Sequence, residues 1–230
     1  MVFRWEDVGD RIQDQAVLVI DTLRATTTMV GFFEMGAGRV FACPTVEEAF
    51  VRRSSLPSAI LGGERENKAP RGFDAGNSIF EYSDQMIGGR SVIFTTTNGT
   101  RAIGAVAQKA SWVGLACLRN RRAAGNAQQR QSDSALVVCA GTQGTTAWED
   151  TLTAGAVVDT WPRDTWTDGA LVAWTVFHAY QEDLLAGLWA SRHAKVLQDA
   201  GLSRDIEYAS KLDATCIVPV LDAQEWFVKG

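Results

Sequence analysis

The chain has 230 residues, 46% hydrophobic and 21% charged, which suits one globular α/β domain, with or without a helical appendage. A net charge of −5 argues against bulk binding to nucleic acid or to an anionic membrane, so an anionic ligand needs a local cationic or N–H-rich site. Four widely spaced cysteines, two histidines and no C-x-x-C pair argue against zinc and predict buried free thiols in a reducing cytoplasm.

Met1 to Asp7 lack a basic start followed by an apolar core, so no signal peptide is expected. No apolar run is long enough to span a bilayer. Ala16-Val17-Leu18-Val19-Ile20 is the first predicted strand: continuous, β-branched and bounded by polar residues. Arg39 to Cys43 is the second. Thr45 then starts a helix, with Glu48 at capping-box spacing. Ala59 to Leu61 is a weaker strand, and Ser91 to Phe94, Trp112 to Ala116 and Ala135 to Cys139 are three more. Helical composition fills Thr100 to Lys109, Arg121 to Gln131 and Asp150 to Thr160, the last preceded by Thr146 and Glu149 at a second capping-box spacing. Gly169 to Ser210 reads as helix throughout. Cys216 to Val220 reads as a late edge strand, because its Pro219 disfavours a central position.

This alternation predicts an α/β fold, a three-layer sandwich with a mainly parallel central sheet and extra C-terminal helices. Residues 1–230 form a single domain in this reading, with a helical subregion over 163–212.

In such a sheet ligands bind beyond the carboxyl ends of the strands. Five junctions there carry chemistry. They are Asp21-Thr22-Leu23-Arg24, Gly62-Gly63-Glu64-Arg65, Thr95-Thr96-Thr97-Asn98-Gly99-Thr100, Leu118-Arg119-Asn120, and Ala140-Gly141-Thr142 followed by Glu149-Asp150. Carboxylates, arginines, hydroxyls and flexible glycines together suit a metal-assisted phosphate site. Each piece alone has a plainer reading. Asp21 is also a turn or cap residue, Arg24 a surface ion pair, and Gly72 to Ser78 a turn. Cys117 and Cys139 read as core, His178 as a core or interface histidine, His193 as ambiguous. The tryptophans at 148, 161, 166, 174 and 189 read as helix packing. No G-x-G-x-x-G or P-loop follows the first strand, and Asp21 lacks the second Asp of an Asp-x-Asp phosphatase start.

In this order and spacing, several stretches resemble the 2-phosphosulfolactate phosphatase family. They are Ile20-Asp21-Thr22-Leu23-Arg24-Ala25-Thr26-Thr27-Thr28, Gly62-Gly63-Glu64-Arg65, Gly72-Phe73-Asp74-Ala75-Gly76-Asn77-Ser78, Thr95 to Thr100, Cys139-Ala140-Gly141-Thr142, Glu149-Asp150 and, more weakly, Ser191-Arg192-His193-Ala194. The resemblance runs from about residue 17 to about residue 220. It implies a Mg²⁺-dependent phosphatase converting 2-phospho-3-sulfolactate to 3-sulfolactate and phosphate, the step that leads to coenzyme M in methanogens. Ile79 stands where the family often has Pro, and Ala147-Trp148 where it often has Ser-Leu; both changes bear on the pocket and spare the ionisable groups.

The expected roles follow. Asp21, Arg24 and Glu64 are catalytic. Asp21, Glu64, Glu149 and Asp150 supply the carboxylates for Mg²⁺. Arg65, Asn77, Thr97, Asn98, Gly99, Thr100 and Gly141 bind the substrate, with Arg65 on its sulfonate or carboxylate. Attack by a metal-oriented water is the expected route, with covalent capture by Asp21 the alternative. A phosphatase for another phosphorylated hydroxy acid stays open, as does a non-catalytic module binding a phosphorylated or sulfonated metabolite. The abundant aromatic residues leave room for a homodimer.

Overall fold

Short apolar runs assemble into one sheet in a computed structural model that describes residues 1–132 and 134–230. Strands β1 (Ala16–Ile20), β2 (Arg39–Ala42), β3 (Ile60–Gly63), β4 (Ser91–Thr95), β5 (Trp112–Ala116) and β6 (Ala135–Cys139) fall where the sequence predicts them, give or take the ends. Two further strands, β7 (Pro219–Leu221) and β8 (Phe227–Lys229), complete an eight-stranded sheet of order β3-β4-β2-β8-β7-β5-β1-β6. The first six pair in parallel as two blocks, β3-β4-β2 and β5-β1-β6. The antiparallel β7–β8 hairpin joins the blocks.

That hairpin corrects the expected edge strand: the segment around Pro219 lies in the middle of the sheet. Pro219 is the first residue of β7, a position that tolerates a missing N–H. The hairpin meets β5 at Gly114–Val220 and β2 at Val40–Phe227, so it needs little ladder on either side.

Helices cover both faces. They are α1 (Ala25–Glu34), α2 (Val46–Ser55), α3 (Asp84–Ile87), α4 (Gly99–Ala107), α5 (Arg121–Gln129), α6 (Trp148–Val158), α7 (Asp168–Tyr180), α8 (Leu184–Trp189), α9 (Arg192–Asp199) and α10 (Ser203–Ala209). Val17 and Val19 of β1 pack with Met29 and Phe32 of α1 and Ile103 and Val106 of α4. Leu18 and Ile20 face the other way, against Ala124 of α5 and Ala154 and Val157 of α6. This alternation is the period-two geometry of a strand buried on both faces. The last four helices share a separate apolar cluster with α6 through Leu152, Phe177, Leu188, Leu197 and Ile206. No helix among the described residues is long and apolar enough to cross a membrane.

Local details differ from expectation at three points. Thr45 caps α2, accepting the Glu48 N–H at 3.1 Å, but Thr146 does not cap α6, whose N-cap is Ala147. Thr146 instead borders the cavity described below. Cys43, Cys117 and Cys139 are buried, whereas Cys216 is exposed just before the hairpin. His178 is exposed and stacks on Trp174, with ring centroids 4.5 Å apart.

Candidate active site

A cavity of about 430 Å³ opens at the carboxyl ends of β1, β3, β4 and β6. β1 contributes Asp21 and Arg24, β3 contributes Glu64, the β4–α4 turn contributes Thr97 and Asn98, and the loop after β6 leads to Glu149 on α6. Asn77 reaches the same space from the long β3–α3 connection. The β5 end does not join them. Asn120 bonds the Leu115 and Ile217 carbonyls, and Arg119 pairs with Glu34 at 2.8 Å, so both side chains bind the fold together.

Strands β1 and β4 stand far apart in the sheet order. Their ends meet because α1 and α4 start from them and pack on the same face. The approach is close enough to require Gly99: a Cβ there would overlap the Ala25 Cβ and sit 2.5 Å from Asp21 Oδ2. Asp21 Oδ1 in turn accepts the Ala25 N–H at 3.2 Å, at the first turn of α1. The three threonines that follow act as pins. Thr26 donates to the Ala116 carbonyl at 2.8 Å, Thr27 to the Thr22 carbonyl at 2.8 Å, and Thr28 to the Asn77 carbonyl at 2.9 Å.

Glu64 is held from two sides. Its Oε1 accepts the Thr97 N–H at 2.8 Å, and its Oε2 accepts the Asn67 N–H at 3.1 Å. Gly63 makes this turn possible: at φ +138° a side chain would overlap the Thr95 carbonyl. Thr96 and Thr100 bond reciprocally, each side-chain oxygen accepting the other's N–H at 3.1–3.2 Å, which fixes the start of α4.

The site concentrates negative charge out of water. Burial raises the pKa of Asp21 from 3.8 to about 7, and Glu149 and Glu64 add to the shift, while the Ala25 N–H and Arg24 oppose it. Burial also raises Glu149, against a hydrogen bond from Ser191. Asp150 is pushed well above the carboxylate range, first by burial and then by Asp21 and Glu149. On the cationic side, Arg24 is buried in an ion pair with Asp205 Oδ2 at 2.7 Å. Burial, then Arg24, push His193 below its ordinary value.

Asp21, Arg24, Glu64, Asn77, Thr97, Asn98 and Glu149 therefore share one cavity lining. The other residues singled out in the sequence stand behind it. Asp150 Oδ1 accepts the Thr22 N–H at 2.8 Å and its Oδ2 the Gly141 N–H at 3.1 Å, so Asp150 and Gly141 tie the β1 and β6 ends together. Gly99 backs Asp21, and Thr100, in the first turn of α4, donates its N–H to Thr96 Oγ1 at 3.1 Å. Arg65 turns into the wall, bonding the Glu64 carbonyl at 2.7 Å and Thr95 Oγ1 at 3.0 Å. The cavity also holds residues the sequence reading did not assign to it. Arg192 and His193 enter from the start of α9, and Trp148, read from sequence as helix packing and as a departure from the family pattern that bears on the pocket, borders it beside Glu149. Ser191-Arg192-His193 was the available signal for α9; Asp205 has none.

Among the described residues no group of three or more His, Cys, Asp or Glu side chains is set to hold a metal ion unaided. The donor chemistry nonetheless fits a hydrated Mg²⁺, which takes one or two carboxylates and keeps several waters. Asp21, Glu64 and Glu149 are buried oxygen donors with no ion-pair partner among the described residues. Asn77 Oδ1 is buried without a hydrogen-bond partner, a further polar group that a bound species would satisfy.

Residues 4–224 match the family model described as 2-phosphosulpholactate phosphatase. A probable 2-phosphosulfolactate phosphatase of Deinococcus radiodurans is 37% identical over 228 residues, covering 96% of this chain and 93% of the relative. Proteins given the same name from Thermotoga petrophila and Thermus thermophilus are each 36% identical, over 91% and 89% of this chain and 90% and 87% of the relatives. The match spans the strand ends that build the cavity as well as the helices that close it, and the chain belongs to the 2-phosphosulpholactate phosphatase family, a family of phosphoric monoester hydrolases.

Proposed function

We propose that this chain hydrolyses 2-phospho-3-sulfolactate to 3-sulfolactate and phosphate in a Mg²⁺-dependent reaction. The observation that carries this reading is the cavity itself. Three buried carboxylates without a cation partner face a Thr-Asn turn at the start of α4. Carboxylates alone repel a phosphate, and N–H groups alone attract one. Both features in one cavity suit a phosphate that arrives with a divalent cation.

One or two carboxylates drawn from Asp21, Glu64 and Glu149 would hold the ion, with waters completing its shell. When bound, Mg²⁺ supplies charge neutralisation to the phosphoryl oxygens and Lewis acidity toward a water. Asn98 and the N–H groups left unpaired at the start of α4 hold the phosphate, with Arg24 opposite, while Thr97 donates to Glu64 and keeps it in place. Arg192, exposed at the cavity and unpaired among the described residues, faces the carboxylate or sulfonate end of the substrate. Asp150 keeps the β1 and β6 loops in register and touches no substrate. A water oxygen bonds to phosphorus as the ester P–O bond breaks. One water proton stays on the phosphate and the other passes to the hydroxyl of the product.

The test is a panel of phosphorylated hydroxy acids, read by release of inorganic phosphate. Turnover of 2-phospho-3-sulfolactate about tenfold or more above analogues lacking the sulfonate is expected, since an unpaired Arg192 discriminates by charge. Equal turnover of those analogues contradicts the substrate, and no turnover of any panel member contradicts the reaction.

A further inference from the structure

We propose that Asp205 is a positioning residue that holds Arg24 in its phosphate-binding orientation, which makes α10 part of the active-site apparatus. The inference rests on the reading of Arg24 as a phosphate ligand. The Arg24 and Asp205 side chains are only 4% and 5% exposed, and Nη1 donates to Asp205 Oδ2 at 2.7 Å. The other terminal nitrogen, Nη2, donates to Asn67 Oδ1 at 3.3 Å. Two acceptors on two elements fix the guanidinium plane. Arg24 still borders the cavity, whereas Asp205 does not.

A buried ion pair is a weak source of stability, because desolvation of both ions offsets their attraction. Its placement here has a more specific effect. Asp21 lies near enough to Arg24 to feel its charge, which lowers the Asp21 pKa, and Glu64 lines the same cavity. Neither pairs with Arg24. Without Asp205, the guanidinium is free to swing onto a cavity carboxylate and cancel the donors that a phosphate needs. Asp205 anchors a second loop as well: its Oδ1 accepts Ser78 Oγ at 2.7 Å, next to Asn77 on the cavity wall. One carboxylate from the C-terminal helices thus organises groups from two distant loops.

The experiment compares full-length wild type, Asp205→Asn, Ser78→Ala, Arg24→Gln and the Arg24→Gln/Asp205→Asn double variant. Binding of inorganic phosphate is measured by calorimetry with Mg²⁺ present, and kcat and KM on 2-phospho-3-sulfolactate are measured in parallel. Asp205→Asn is expected to weaken phosphate binding and lower kcat/KM by about tenfold or more, the usual effect of removing a second-layer partner. On the Arg24→Gln background the same change is expected to cost less than about threefold, since its route of action is gone. Ser78→Ala is expected to cost about threefold in phosphate affinity, and it decides the matter if Asp205→Asn does not fold. Wild-type phosphate affinity in Asp205→Asn, or an equal loss with and without Arg24, overturns the proposal; so does unchanged affinity in Ser78→Ala should Asp205→Asn not fold. Wild type that binds phosphate but hydrolyses no substrate refutes the phosphatase reading and leaves the positioning test readable.

Discussion

Asp21 is where local structure, burial and chemistry meet most tightly. Its folded pKa, about 7, lies above its ordinary value of 3.8. Between those two values the folded protein binds more protons than the unfolded chain. The contribution of Asp21 to stability therefore falls as pH rises from about 4 to about 7 in metal-free protein. Asp21→Asn is expected to flatten that slope and to raise the melting temperature of the metal-free protein at pH 8, by about 2–4 °C for each kcal/mol recovered. Thermal melts from pH 4 to pH 8 with EDTA check this, and an unchanged pH slope in the variant contradicts it. The neighbouring Gly99→Ala places a methyl group 2.5 Å from Asp21 Oδ2. We expect about a hundredfold loss of kcat with a native circular-dichroism spectrum, as for a small displacement of a reacting group.

Much of the cavity at this scale was legible in advance, because a polar residue just after a buried strand has one place to go. Asp21, Glu64, Thr97 and Asn98 follow that rule. Adjacency in sequence did not orient side chains: Arg65 follows Glu64 yet turns the other way, into the Thr95 wall. Asp205 was illegible because its only signal is spatial, an ion pair with a residue 181 positions earlier.

Among the elements, four helices begin at the cavity. Arg24 precedes α1, Asn98 precedes α4, Ala147 precedes α6, and Arg192 opens α9. Their N-terminal ends border the same space, and helix N-termini carry positive potential that an acidic chain lacks overall. The parallel strands β1 to β6 were legible as continuous apolar runs, since each is buried on both faces. The central hairpin was not. β7 and β8 have three residues each, too few for a periodicity signal, and Pro219 points toward an edge. Phe227 shows why the hairpin matters: it is fully buried in the core between the two parallel blocks. Phe227→Ala is expected to destabilise the fold by about 3–5 kcal/mol. A urea titration reads this directly, and a loss below about 1 kcal/mol would show that the hairpin is not a structural keystone.

For the whole molecule, the same contrast between global and local charge recurs. A chain of net charge −5 holds an anion only where backbone N–H groups, arginines and a cation converge. The sheet supplies that convergence by bringing β1, β3, β4 and β6 to one edge; the C-terminal helices add Arg192 to the cavity lining and hold Arg24 from behind through Asp205. The most direct test is phosphate release from 2-phospho-3-sulfolactate by EDTA-treated protein before and after Mg²⁺ is restored, run alongside Glu64→Gln. The account predicts no turnover in EDTA, recovery with Mg²⁺, and a loss of about a hundredfold or more in Glu64→Gln with the fold intact. Turnover that survives EDTA, or wild-type rates in Glu64→Gln, would contradict it.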